Sequence, residues 1–179
     1  GDVVAELVTD ENGYAETDLL YLGKYEVKEI TAPDGYVLNA ESQFVELTYA
    51  GQEIAVRDTV GTAFENDYQG IEISLSKVME NDEKFGISEE ESYKNVRFGL
   101  FAAEDITAVN GAVIPADSLI EIVTLDENGK AVIKTDIPMG SYYVKEIAAD
   151  EHYILNDTKY PVVFEYAGQD TAKGEISVN

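Results

Sequence analysis

The chain of 179 residues is 45% hydrophobic and 10% aromatic, apolar enough for a packed core and long enough for one large domain or two ordinary ones. Its 36 acidic residues outnumber 12 basic ones, a net charge of −24 that argues against nucleic-acid phosphates or an anionic membrane surface as partners. With no cysteine and one histidine, His152, it lacks the residues for disulfides, thiolate metal sites, cysteine or Ser-His nucleophiles and haem ligation, so no cofactor and no turnover enzyme is expected.

Gly1-Asp2-Val3-Val4 reads as entry into mid-domain sequence, with no basic-then-apolar leader and no run of transmembrane length anywhere, so the chain reads as a mature fragment of something longer. The spacing predicts a tight turn at Thr9–Gly13, where Asn12-Gly13 signals a hairpin. Strands follow at Lys24–Glu29 and Phe44–Leu47, and a short one at Ala63–Asn66. Ile71–Lys77 alternates cleanly, and Ile87–Lys94 is the one helix-like stretch. Beyond it come Val96–Phe101, a second hairpin signal at Asn128-Gly129, and strands at Tyr142–Glu146, Tyr160–Phe164 and Ile176–Asn179. Short β-branched and aromatic runs punctuated by Asn-Gly and Asp-Gly define an all-β protein, a sandwich or open barrel.

The chain repeats itself. Residues 24–39, KYEVKEITAPDGYVLN, match residues 141–156, SYYVKEIAADEHYILN, at a spacing of 117. Tyr49-Ala50-Gly51-Gln52 matches Tyr166-Ala167-Gly168-Gln169 at the same spacing, and Asp10–Gly13 matches Asp126–Gly129 at 116. Gly1 then falls opposite Asp117, leaving residues 70–116 without a counterpart. The expected organisation is residues 1–69 as the back part of one domain lacking its N-terminal strands, and residues 70–179 as a complete second domain.

Side chains of a strand alternate between faces. In the run from Ile71, the inward set Ile71, Ile73 and Leu75 ends on Lys77, and Tyr142 and Val144 share their face with Glu146. Tyr25, Val27 and Glu29 repeat the second pattern, while Lys28 and Lys145 fall on the opposite, solvated face. An unpaired buried charge is costly, so such groups pair or change protonation state; the alternative is that they sit at strand ends and reach water by snorkelling.

YEVKEITAPDGY resembles the E-box of Gram-positive surface proteins and pilins, a tyrosine and a glutamate followed by Ala-Pro-x-Gly-Tyr. YYVKEIAADEHY keeps the tyrosines and glutamate without the Ala-Pro-x-Gly core. With Val96–Phe101, Asp126–Gly129 and Ile137–Tyr142 in order, the chain resembles tandem CnaB-type (SpaA-like, prealbumin-like) domains of Ig-like β-sandwich form. The resemblance implies a spontaneous intramolecular isopeptide bond between Lys77 and Asn179, with Glu146 as assisting acid. Desolvation in an apolar core favours a neutral amine and a protonated carboxyl, the states this chemistry uses. For the first copy it implies Glu29 and Asn66, but no first-strand lysine is present: Lys24 and Lys28 belong to the E-box strand, so no bond is expected there. Asn179 also shares parity with Ser177 rather than with Ile176 and Val178.

The implied function is a structural stalk or pilin-like module of a Gram-positive cell-surface protein, extracellular and anchored through other parts of a parent chain whose neighbouring domains are its partners. The alternative is an adhesin module for a host extracellular-matrix protein or glycan, with the acidic stretches Asp82-Glu83 and Glu89-Glu90-Glu91 facing a basic partner. Such charge runs also read simply as solvated faces. Calcium at Asp126–Gly129 is a weaker idea, since further EF-hand ligands are lacking. The Asn156-Asp157-Thr158 glycosylation pattern lies in a repeated turn.

Overall fold

A computed structural model describes residues 1–52, 60–82, 84, 86 and 89–178. The chain divides into two compact units, one of residues 1–30 and 39–65 and the other of residues 31–38 and 66–179.

In the first unit, β1 (Gly23–Val27) pairs antiparallel with β2 (Gln43–Leu47), Tyr25 opposite Val45. Both strands alternate half-buried and exposed residues, as their period-two sequences dictate. Tyr25, Val27 and Glu29 take the more buried side, and Lys24 and Lys28 are exposed. The Asn12-Gly13 turn forms, with the Asp10 carboxylate accepting from the amides of Asn12 and Tyr14. No strand flanks it among the described residues, and residues 63–66 are not a strand.

The second unit is a β-sandwich. One sheet runs in the order β10 (Tyr160–Phe164), β9 (Gly140–Ala148), β4 (Arg97–Ala102), β7 (Leu119–Thr124), all antiparallel. The other runs β11 (Lys173–Val178), β3 (Gly70–Ser76), β8 (Lys130–Ile133). Here β11 lies parallel to β3, with Val178 opposite Leu75, and β8 is antiparallel to β3. A small ribbon, β5 (Ile106–Thr107) with β6 (Val113–Ile114), completes the strands. Pro161 sits on the edge strand β10, where its missing N–H costs no interior ladder bond. Of the helix-like stretch, Ile87 and Ser88 lie outside the described residues, and the rest forms one short turn of helix, α1 (Glu89–Ser92), continued by a 3-10 turn at Tyr93–Asn95. No helix among the described residues is long and apolar enough to cross a membrane.

The two sheets bury one core. Ile71, Ile73 and Leu75 meet Leu100, Val144, Val162 and Phe164 across it, and Leu100, Ile73 and Val144 are fully enclosed. Truncating Leu100 to alanine leaves a cavity among them, and its expected cost is about 2–5 kcal/mol, read from denaturant midpoints.

Two further expectations change. The Asn128-Gly129 turn does not close a hairpin of paired strands: β7 belongs to one sheet and β8 to the other, so the turn carries the chain between layers. Local Asn-Gly chemistry is the same in either case, and only the sheet partners differ. The Lys145 side of β9 is also not simply solvated. Tyr143 is buried there, stacked on Phe101 at 5.1 Å, and the Lys145 ammonium lies 5.9 Å from the centre of the Phe101 ring. Gly99 makes the room, since a Cβ there would come within 2.6 Å of the Phe101 ring.

Asp150 is buried and accepts from the Asn95 side-chain amide at 2.6 Å and from His152 Nδ1 at 2.7 Å. The Asn95 bond first, then the backbone and ring N–H groups of His152, hold its carboxyl below the usual carboxylate range. A lowered folded pKa gives stability that is present above the unfolded value and is lost as pH falls through the folded one. Denaturant midpoints are therefore expected to fall as pH drops below about 4, and less steeply in Asn95→Ala.

Candidate functional site

The end of β3 and the middle of β9 bring together the two ionisable residues that alternation placed inward. Glu146 follows Tyr142 and Val144 on the buried face of β9 and is only 1% exposed. Lys77 leaves β3 one residue past its last strand position, with its side chain 23% exposed. Its Nζ stands 3.4 Å from Glu146 Oε2. A buried carboxyl with a single distant partner would be expensive, and a second donor satisfies it. The backbone N–H of Asn156 donates to the same oxygen at 3.0 Å.

Asn156 is held in turn. Its Oδ1 accepts from the Thr158 amide, closing an Asx turn, and its Nδ2 donates to the Tyr160 hydroxyl. The lysine is fixed at its backbone, where Lys77 N–H donates to Gly129 O at 2.9 Å. Gly129 has φ +69°, and a Cβ on it would lie 2.5 Å from Lys77 O and 2.7 Å from the Tyr93 ring. The inter-sheet turn is thus packed directly under the lysine. Tyr142, on the same face as Glu146, gives its hydroxyl hydrogen to Pro138 O, and burial pushes its pKa up to about 12.

The first unit repeats the carboxyl half of this arrangement. Glu29 Oε2 accepts from the Asn39 N–H at 2.7 Å, and Asn39 Oδ1 accepts from the Glu41 amide. Glu29–Asn39 and Glu146–Asn156 are the same pair 117 residues apart. The sequence marks Asn156 only through the glycosylation pattern and does not mark Asn39, although both close the repeated blocks YVLN and YILN. Asn66 belongs to the second unit, where its Nδ2 donates to Val37 O. Asn179 lies outside the described residues. So do Glu83 and the side chains of Glu89 and Glu90; Glu91 is exposed, 3.9 Å from Lys94.

Chemically, a lysine Nζ and a buried carboxyl at this separation can exchange a proton, and the carboxyl can also donate to a third group brought beside it. Among the described residues no group of three or more His, Cys, Asp or Glu is placed to hold a metal. At the former calcium candidate, one Asp126 carboxylate oxygen accepts from the amides of Asn128 and Lys130, so the turn itself occupies it.

The first and last strands of the second unit, β3 and β11, thus lie side by side and parallel, with Lys77 just past the end of one. The chain matches the SpaA prealbumin-like fold domain over residues 1–60 and 71–177 and belongs to that family. Among solved structures, the Bacillus anthracis TIE protein aligns with 97% of the chain at 24% identity and a TM-score of 0.56. The chain spans 27% of that protein's length, and the likeness is one of fold. The group B streptococcus pilus 2b backbone protein matches 77% of this chain and 47% of its own at 18% identity, TM-score 0.41. A Streptococcal ancillary pilin matches 89% and 43% at 14% identity, TM-score 0.31. A search of curated proteins gives no match.

Proposed function

We propose that the chain is part of an extracellular stalk, or pilin-like structural protein, of a Gram-positive cell surface. In this reading residues 1–69 are the back part of one module and residues 70–179 a whole second one, and neighbouring modules of the parent chain are the partners. The second module closes itself with a Lys77–Asn179 isopeptide bond. Neutral Lys77 Nζ attacks Asn179 Cγ, the new C–N bond forms as the C–NH₂ bond breaks, and ammonia leaves carrying the displaced proton. Glu146, protonated, donates to the amide oxygen and relays protons between the attacking and the leaving nitrogen. Folding supplies the proximity. The step occurs once, within the molecule.

The observation that carries this reading is the approach of Lys77 Nζ to the buried Glu146 across the two sheets. The parallel register of β11 on β3, running both strands toward the same end of the sandwich, supports it. The consequence is mechanical, because tension through the first and last strands would load a covalent bond instead of a hydrogen-bond ladder. Single-molecule stretching from the two ends tests this. Lys77 to Asn179 is 102 residue steps, about 350 Å of extended chain, and that length should be missing from the native protein's final extension. Glu146→Gln should restore it. A native chain that extends fully would refute the stalk mechanism.

A further inference from the structure

The Ala-Pro-Asp-Gly-Tyr stretch of the first repeat, Ala32–Tyr36, is not needed for the glutamate geometry. The second repeat replaces Pro33 by Asp150 and Gly35 by His152, yet Glu146 still meets Asn156 as Glu29 meets Asn39. The stretch has other partners. Thr31–Leu38 is built into the second unit, against the connector Asn66–Gln69 and the loop Tyr166–Gln169.

Its contacts are dense and directional. Ala32, 7% exposed, gives its N–H to Gln169 Oε1 at 2.9 Å, and Leu38 gives its N–H to Gln169 O at 2.9 Å. Val37 N–H donates to Asp67 O, and Gln69 N–H donates to Gly35 O. Tyr36 stacks on Tyr68 at 4.3 Å, and the two hydroxyls are 2.7 Å apart. Under the stretch, Gln69 is 3% exposed, and its side-chain amide is fully used: Nε2 donates to Gly168 O and Thr171 O, and Oε1 accepts from the Ala167 N–H. A buried amide bonded on both ends fixes one geometry, because losing any partner leaves an unsatisfied group.

The turn is preshaped for this role. Pro33 fixes its own φ, Tyr36 N–H closes the turn on Pro33 O, and Gly35 takes φ +88°, where a side chain is strained. A stiff turn loses little further entropy on docking. The matching stretch of the second repeat turns back on its own module: Asp150 binds Asn95, and Tyr153 gives its hydroxyl hydrogen to Glu80 O.

We propose that Thr31–Leu38 is a docking element whose receptor is Gln69 with the Tyr166–Gln169 loop. The first repeat's block then divides: Glu29 stays in the first unit, where no cross-link is expected, and the Ala-Pro-Asp-Gly-Tyr turn is held by the second unit. The partner this receptor fits is a Pro-x-Gly-Tyr turn whose tyrosine stacks on Tyr68. The docking does not rest on the proposed cross-link.

Residue-resolved hydrogen exchange on the full chain, paired with intact mass, tests the docking separately from the cross-link. In Gln69→Ala and in Gly35→Val, exchange at the Ala32, Val37 and Leu38 amides should rise at least about tenfold, while Leu100 and Val144 stay slow and the mass stays that of the native protein. Glu146→Gln should change the mass and leave those three amides protected. Continued protection of all three amides in both docking variants would overturn the proposal. So would release of the segment by Glu146→Gln, or loss of core protection in step with the segment in both docking variants. A native chain at full sequence mass with the segment docked would refute the cross-link alone.

Discussion

Glu146→Gln is expected to leave the chain at its full sequence mass and to lower its melting temperature by on the order of 20 °C. Glutamine keeps the shape and an oxygen for the Asn156 N–H, so the native contacts survive. What it cannot do is donate an acidic proton or accept one from an amine, and without that relay the amide carbon is a poor target. The stability change follows from the lost loop closure. A bond closing about 100 residues is worth roughly 4–5 kcal/mol by the chain-entropy relation developed for disulfides. Lys77→Met should have the same effect on mass. A melting point unchanged in both variants would mean that no cross-link contributes.

The second large effect is expected at Gly129. Gly129→Val puts a β-branched side chain at φ +69°, with its Cβ 2.5 Å from the Lys77 carbonyl oxygen and 2.7 Å from the Tyr93 ring. Backbone cannot yield as a flexible side-chain tip can, so strain and displacement together should cost about 2–4 kcal/mol. Because the Gly129 carbonyl also accepts the Lys77 N–H, the lysine moves with the turn. A displacement of about 1 Å can slow a positioned reaction on the order of a hundredfold, so loss of ammonia should be far slower than in the native chain, read as the fraction of freshly synthesised protein still at full sequence mass. Gly13→Val is the control: its φ is +75°, but nothing lies within 4 Å of its Cβ. It should show the backbone strain alone and no change in the rate of mass loss in the second module.

Much of this architecture was legible in the sequence because one period carries it. In Ile71–Lys77 and Tyr142–Glu146, alternation alone placed Ile73, Leu75, Val144 and Glu146 in the core, and each is buried. The 117-residue repeat made two glutamates equivalent, and both accept from the amide of the asparagine ten residues on. Sheet membership was not legible. Asn128-Gly129 makes the same Asp-anchored turn whether its strands pair or part, and the choice depends on long-range partners such as β3 and β4. Nor did periodicity reveal the stacking of Tyr143 on Phe101, since an aromatic on an outward position gains its shelter from a neighbouring strand. Gln69 was invisible for a similar reason: its three side-chain partners lie about a hundred residues away, and no local pattern announces them.

The intact mass of the purified chain under denaturing conditions, followed by peptide mapping, tests the covalent staple most directly. The expected result is a mass one ammonia below that of the sequence, with the Lys77 and Asn179 peptides recovered as a single branched species. A full-mass chain that releases those two peptides separately would contradict it.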